Sequence, residues 1–424
     1  MSPENEPVET GESATMRIAL IGALDTKGEE YAFLKDEIEE LGHIAVLIDV
    51  GVLGDPTLAA DVSREAVAES QGASIEHLQQ AGERGAGMRV MAGGAAEVVA
   101  DLVGKGAVGG VLAVGGSNAA YIMARVSEAL PVGLPKVLVS TMASGDTRPY
   151  VGSTDLTMMN SIVDINGLNR ITRPVLRNAV GAVVGMASEW FGGASDARSA
   201  DEAPVVAISM FGVTTACASQ LAQHLQAHAD PLSFHANGAG GRALEALVRR
   251  GQVQAVADMT TTELADELFG GVCSAGPDRL TAAGAAGVPQ VVSLGALDMV
   301  NFGARASVPA HLEGRLFYEH NPDVTLMRTN EEECAQLGAL LARRLNDAEG
   351  PCAVVIPTRG VSMISVAGAP FHHPAADAAL IESLRADLNP DVHVTTHDTD
   401  INDPIVADTI STLVVDHLKK GHHV

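Results

Sequence analysis

Three segments in the first half of the chain combine residue types that can hold an anionic small molecule. Gly22-Ala23-Leu24-Asp25-Thr26-Lys27-Gly28 joins glycines, a carboxylate, a hydroxyl and a cation just ahead of a helical pattern. Unpaired N–H groups and the helix dipole favour an anion at such a helix start. Lys27 would add a point charge to a phosphate, and Asp25 could hold a magnesium-bound water. An ordinary helix start, with Asp25 or Thr26 as cap and Lys27 solvated, uses the same residues. Val114-Gly115-Gly116-Ser117-Asn118 is the second segment: paired glycines let a backbone approach a pyrophosphate, and Ser117 can donate to it. It matches neither GxGxxG nor the GxxxxGK[ST] phosphate loop. The third, Ser140–Thr147, carries Ser144 and Gly145 and is followed by Gly152-Ser153-Thr154-Asp155. Its hydroxyls and carboxylates are denser than a turn requires.

The second half has four polar loops of its own, which make up a candidate second site. They hold Thr214 and Thr215, then His235 and Gly240, then Thr261 and Thr262, and last Asp298 and Asn301. His235 could act as an acid or base, but a hydrogen-bonded core histidine is the commoner fate. In a parallel sheet all such loops leave one edge, so the four segments are expected to converge on one polar pocket facing the N-terminal domain. The adjacent pairs His372-His373 and His422-His423 do not share a helical face and suggest no metal site.

Each of these loops needs a strand before it and a helix after it, and the hydrophobic pattern supplies both. Strands are expected at Arg17–Gly22, Ile44–Val50, Val108–Val114 and Lys136–Ser140, with helices between them and a last one from Thr172 to about Ser188. After Phe191–Pro204, small and polar, the alternation restarts at Val205 and runs to a helix over Asp403–Lys419. The expectation is an α/β protein of two Rossmann-like, doubly wound domains with mostly parallel sheets. Its parts would be a disordered tail over 1–15, a nucleotide-binding domain over 16–190, a linker over 191–204 and a second Rossmann-like domain over 205–424.

Composition agrees with this and narrows the partners. A chain of 424 residues exceeds one ordinary core, and 46% apolar residues with 3% aromatics imply a core of Ala, Val, Leu and Ile. A formal charge of −26 without any Lys/Arg run argues against nucleic acid and anionic membranes. The four separated cysteines form no CxxC pair, residues 1–15 have no signal-peptide pattern, and no apolar run reaches spanning length. A cytoplasmic protein is expected.

Several blocks together resemble one family. IGALDTKGEEYAFLKDEI, GLPKVLVSTMASGDTRPYVGSTDLTMMNSIVDINGLNRIT, SMFGVTTACAS, FHANGAGGRALEALV, DMTTTELADELFGGV and GALDMVNFG are similar to the family of the ATP-binding domain of the tomato mosaic virus resistance protein. The resemblance runs in order from about residue 16 to 420. It implies two Rossmann-like domains, ATP with Mg²⁺ in the first, and a homodimer. It places the nucleotide on Asp25, Thr26 and Lys27, on Gly115, Gly116, Ser117 and Asn118, and beside Arg84 in Glu83-Arg84-Gly85. The family's glycine loop usually reads GGSGG, whereas Asn118 and Ala119 stand here, and Glu83 stands where Asp is usual. The expected activity is that of an ATP- and Mg²⁺-dependent enzyme, of phosphoryl-transfer or ligase type, acting on a small polar metabolite in a cleft between the domains. The alternative is a non-catalytic ATP-binding module that acts with a partner protein.

Overall fold

A computed structural model describes residues 15–81, 84–193 and 203–421. The chain divides into two compact units, Met1–Ala200 and Asp201–Val424. Most of the expected tail and most of the expected linker lie outside the described residues.

The first unit runs β1 (Arg17–Gly22), α1 (Leu24–Glu40), β2 (Ile44–Asp49), α2 (Arg64–Ser70), α3 (Ile75–Ala81), α4 (Arg84–Gly104), β3 (Val111–Gly115), α5 (Ser117–Ala129), β4 (Lys136–Ser140), α6 (Arg148–Val151), β5 (Thr157–Asn160) and α7 (Thr172–Gly193). The strands form one parallel sheet in the order β2-β1-β3-β4-β5. Successive side chains on a strand face opposite ways, so each central strand must be apolar on both faces when helices cover both. Ala19, Ile21, Val46, Ile48, Val111 and Ala113 pack with Met91, Ala95 and Val99 of α4 and Met123 and Val126 of α5. The alternate residues Ile18, Leu20, Leu47, Leu112 and Val114 pack with Leu34 and Ile38 of α1 and Val180 and Val183 of α7.

Two features depart from the expected layout. The segment expected as a polar loop ahead of the first helix is the helix's own first turn, because α1 starts at Leu24. It is kinked at Lys27 (φ −127°, ψ 19°), where the Leu24 carbonyl takes its bonds from Thr57 N and Thr57 Oγ1, both at 3.0 Å. The last helix runs to Gly193, so the first three residues of the expected linker are helical.

The second unit runs β6 (Val205–Met210), α8 (Thr215–Leu225), β7 (Asp230–His235), α9 (Ala239–Arg249), β8 (Ala255–Thr260), α10 (Glu263–Phe269), α11 (Ala282–Ala285), β9 (Gln290–Gly295), β10 (Met299–Phe302), β11 (Phe317–Asn321), β12 (Val324–Arg328), α12 (Glu331–Asn346), β13 (Cys352–Pro357), α13 (Pro374–Asp387), β14 (His393–His397) and α14 (Pro404–Gly421). Six strands form a parallel sheet in the order β14-β13-β9-β8-β6-β7. The remaining three form a small antiparallel sheet, β10-β12-β11, which the sequence pattern does not announce. Among the described residues all four cysteines are free thiols, and no helix is long and apolar enough to cross a membrane.

Candidate functional site

In the first unit β1 lies between β2 and β3, so the chain leaves β1 toward one side of the sheet and later returns on the other. The carboxyl ends of two strands that part in this way leave a crevice, the usual ligand position in open α/β sheets. Tyr31 keeps the strands apart here. The β1–β3 pairing ends at Ile21↔Ala113, and in place of the next rung the buried Tyr31 hydroxyl donates to the Ile21 carbonyl and accepts the Val114 amide at 2.9 Å. Burial pushes the Tyr31 phenol well above its ordinary pKa, so it remains a donor. Its ring lies so close under Gly22 that a Cβ there would sit 2.0 Å from Cζ.

Above this floor is a cavity of about 500 Å³, within the usual size range of small-molecule sites. One wall is the end of β3 and the start of α5, Val114–Ala119 with Ile122. The N-cap of α5 is Gly116, and no side chain caps that helix. The amides of Ser117, Asn118 and Ala119 fall in its first turn, where an α-helix offers no acceptor. A second wall holds Gly22, Ala23, Asp25, Thr26 and Lys27. Gly51–Leu53 after β2, Leu78 and Gln79 of α3, and Gly87 and Met88 of α4 complete the lining.

The charged groups on the wall are partly committed. Asp25 Oδ2 accepts from the amides of Leu53 (2.9 Å) and Gly54 (3.0 Å), while its Oδ1 is buried without a partner. As the one carboxylate among the described residues of the lining, Asp25 suits a magnesium ion held mainly by a ligand's phosphates, since Mg²⁺ takes few carboxylates and keeps other oxygens. Among the described residues there is no group of three or more His, Cys, Asp or Glu placed to hold a metal by themselves. Lys27 Nζ donates to the Ile165 carbonyl and stands 4.0 Å from Glu30 Oε1. Thr26 is exposed. Asp49, at the end of β2, accepts from Leu24 N at 3.0 Å and Gly51 N at 2.9 Å, and burial raises its pKa. The first amide of α1 is therefore already satisfied by a carboxylate, which leaves α5 as the better anion site.

Asp25, Thr26, Lys27, Gly115, Gly116, Ser117 and Asn118 thus share one cavity. Ser144 and Gly145 are not on its wall: Ser144 Oγ closes a short turn on Thr141 O at 3.1 Å, and Gly145 N bonds Met142 O. Glu83 lies outside the described residues, as does the side chain of Arg84. Tyr31, Asp49 and Gln79 join the site without any signal in the sequence. A Tyr inside an amphipathic helix and an acid ending an apolar strand carry no local mark of such roles.

The second unit treats its own switch point differently. There β6 lies between β7 and β8, and the loops around Thr214, Gly240, Thr261 and Asn301 are joined at one edge. Thr214 Oγ1 meets Thr260 Oγ1 at 2.8 Å, Thr261 N bonds Gly295 O at 3.0 Å, and Asn301 Nδ2 reaches Thr262 Oγ1 at 3.4 Å. Thr214, Thr261, Thr262, Asp298 and Asn301 are all buried, whereas Thr215 and His235 are exposed, the latter stacked on Phe211. The expectation that a bound ligand satisfies these hydroxyls and glycine amides needs correction, because the protein itself satisfies most of them. Glu263 Oε1 accepts from Gly238 N at 2.7 Å and Gly241 N at 3.0 Å, filling the start of α9 with an internal anion. Gly240 is close-packed on its own strand end: a Cβ would lie 2.0 Å from His235 O.

Glu263 belongs to a buried ionic cluster around Arg279. The guanidinium pairs with Asp258 (Nη2–Oδ1 2.7 Å), Glu263 (2.6 Å) and Glu245 (3.3 Å). Glu245 also caps the α11 segment through Leu280 N (2.6 Å) and Ala282 N (2.8 Å). Of the polar loop residues named above, Asp298 Oδ1 and Asn301 Oδ1 are buried without a partner. Burial pushes Asp298 up to about 6, against the pull of Arg328, and Asp266 up to about 7, against its bond from Asn301.

Comparison with known proteins agrees with the two-unit division. The N-terminal domain model of the uncharacterised protein family UPF0261 matches residues 16–190, and its C-terminal domain model matches residues 203–418. A UPF0261 protein of Clostridium tetani is 43% identical over 406 residues, covering 95% of this chain and 99% of the relative. A second, from Rhizobium meliloti, is 43% identical over 88% of this chain and 91% of the relative. The tomato mosaic virus resistance protein Tm-1(GCR237) of Solanum lycopersicum is 38% identical over 74% of this chain but only 42% of its own length. The chain therefore belongs to the UPF0261 family, which has the tomato Tm-1 proteins among its homologues.

Proposed function

We propose that the N-terminal unit binds a nucleoside triphosphate, ATP foremost, together with Mg²⁺. The observation that carries this reading is the cavity at the β1/β3 switch point, where the uncapped start of α5 meets Lys27 and the unpaired Oδ1 of Asp25. The phosphates would take the amides of Ser117, Asn118 and Ala119, where dipole and orphan donors act together. Lys27 would leave the Ile165 carbonyl for a phosphate oxygen, and Asp25 would reach the cation through Oδ1. A bound Mg²⁺ would neutralise phosphate charge, and this chain's contribution is to orient the chain of phosphates against α5.

The same lining bears on whether a bound nucleotide would react. Among the described residues it contains no His, Cys or Glu, and the carboxylate of Asp25 is half committed to the Leu53 and Gly54 amides. Among the described residues this wall offers no free general base for an acceptor hydroxyl. That observation favours nucleotide as a structural or regulatory ligand of a module working with a partner, over phosphoryl transfer to a small polar metabolite. A thermal-shift titration tests the first claim: ATP with Mg²⁺ should raise the melting temperature, because a ligand of the native state alone must stabilise it. No change at millimolar ATP removes the proposal. Metabolite-dependent release of ADP by the purified chain would restore the enzymatic reading.

A further inference from the structure

Ile162 is held in a backbone conformation that its own side chain opposes. It follows β5, where Val163 N bonds Ser161 O at 2.7 Å and closes a three-residue turn with Ile162 at φ 66°. A β-branched residue is strained in that left-handed region, which Gly, Asn and Asp tolerate, and a three-residue turn of this hand is itself rare. Packing gives nothing back, because Ile162 is 71% exposed. The turn is fixed by what surrounds it. Asn160 Oδ1 accepts from Ile162 N at 3.1 Å, and Ser161 Oγ donates to Val163 O at 2.7 Å. Farther along, two side chains of α1 tie the loop down: Lys27 Nζ donates to the Ile165 carbonyl, and the buried Glu30 accepts from Gly167 N at 2.8 Å.

Lys27 also lines the cavity, so one ammonium serves both this loop and the candidate ligand site. A phosphate oxygen carries charge and the Ile165 carbonyl does not, so the ammonium gains by changing partner. Backbone strain of this kind persists only while the surrounding structure over-determines it. We infer that Lys27 is a latch: an anion in the cavity draws the ammonium off Ile165, and the turn at Ile162 relaxes. This rests on the nucleotide reading above and adds a mechanical consequence of binding. Glu30 keeps its bond to Gly167 N, and the Ile165 side chain stays in the core with α1 and α7, so the change is confined to residues 162–164 and the Ile165 peptide. Coupling of this kind is reciprocal, and whatever eases the latched turn must weaken the ligand by the same factor.

Two measurements on the full chain test the latch, with ATP and Mg²⁺ as the probe. Hydrogen–deuterium exchange in peptides covering 161–167 should quicken about fivefold at saturating ATP, the scale of one hydrogen bond lost. Lys27→Ala should show the faster exchange without any ligand. Ile162→Asn, better suited to the left-handed region, should raise the melting temperature of the free protein and weaken ATP about fivefold by isothermal titration. Ile162 is not on the cavity wall, so a lost ligand contact does not account for that weakening. If Ile162→Asn melts below wild type, Ile162→Gly meets the same backbone demand and must show the same loss of affinity. ATP binding with unchanged exchange over 161–167, or with equal affinity in wild type and the Ile162 variant, overturns the latch and leaves nucleotide binding intact. Absence of ATP binding by wild type overturns both.

Discussion

The two units present the same topological feature and use it in opposite ways. In the first, the crevice between β1 and β3 holds a cavity of about 500 Å³, and α5 begins without a cap. In the second, the corresponding crevice between β6 and β8 is bridged by Thr214 and Thr260, and α9 begins on the carboxylate of Glu263. Helix starts in a doubly wound fold are anion sites by geometry, and whether they remain open is a matter of which side chain arrives first. Glu263 opens α10, just after β8, with Arg279 behind it, so its charge is balanced inside the protein. Topology alone therefore does not make a binding site.

The sharpest way to break this comparison is through Arg279. Arg279→Met should leave Asp258, Glu245 and Glu263 buried without their counter-ion, and should destabilise the second unit by about 3–5 kcal/mol. Urea denaturation with limited proteolysis would detect it. A loss below about 1 kcal/mol, the level of surface pairs, would mean that the backbone amides alone balance the cluster.

Acidity offers the next test. Asp266 is raised to about 7 by burial, so its folded pKa lies above the ordinary value of 3.8. Its contribution to stability is then fully present below pH ~3.8 and is lost as pH rises through ~7, at most a few kcal/mol. Asp266→Asn cannot titrate, so the stability difference between wild type and variant should shift against wild type from about pH 5 to about pH 8. Denaturation curves giving the same difference at both values would place Asp266 in the ordinary range.

Closing the open site should cost less. Gly22→Ala puts a Cβ against the Tyr31 ring and should cost the first unit about 1–3 kcal/mol as the ring is displaced. A melting temperature equal to wild type would show that the floor of the cavity yields freely. The smallest expected effect is that of Lys27→Ala, about a tenfold loss of ATP affinity by titration calorimetry, the scale of one charge-assisted bond. Unchanged affinity would mean that Lys27 stays on Ile165 when nucleotide binds.

Much of the architecture follows from local pattern. Apolar runs ending in Gly or a hydroxyl mark β1, β3, β4 and β8, and helical spacing marks most of the helices, because burial on one or two faces imposes a period that a few residues already display. The capping box at the start of α12 is equally local, an Asn330 with Glu333 at the third position after it. The small antiparallel sheet is not legible in this way. Strands such as Met299–Phe302 have only four residues, and their pairing depends on partners about 25 residues away. The site divides along the same line. Which loops carry glycines and hydroxyls is written in the sequence, and so is the grouping of Asp25 with Thr26 and Lys27. Which of those loops remain open was decided by residues distant in sequence: Tyr31 spanning to Val114, Asp49 taking Leu24 N, and Glu263 filling the start of α9. A backbone amide looks the same in every glycine loop, and only the folded chain determines whether an internal acceptor has already claimed it.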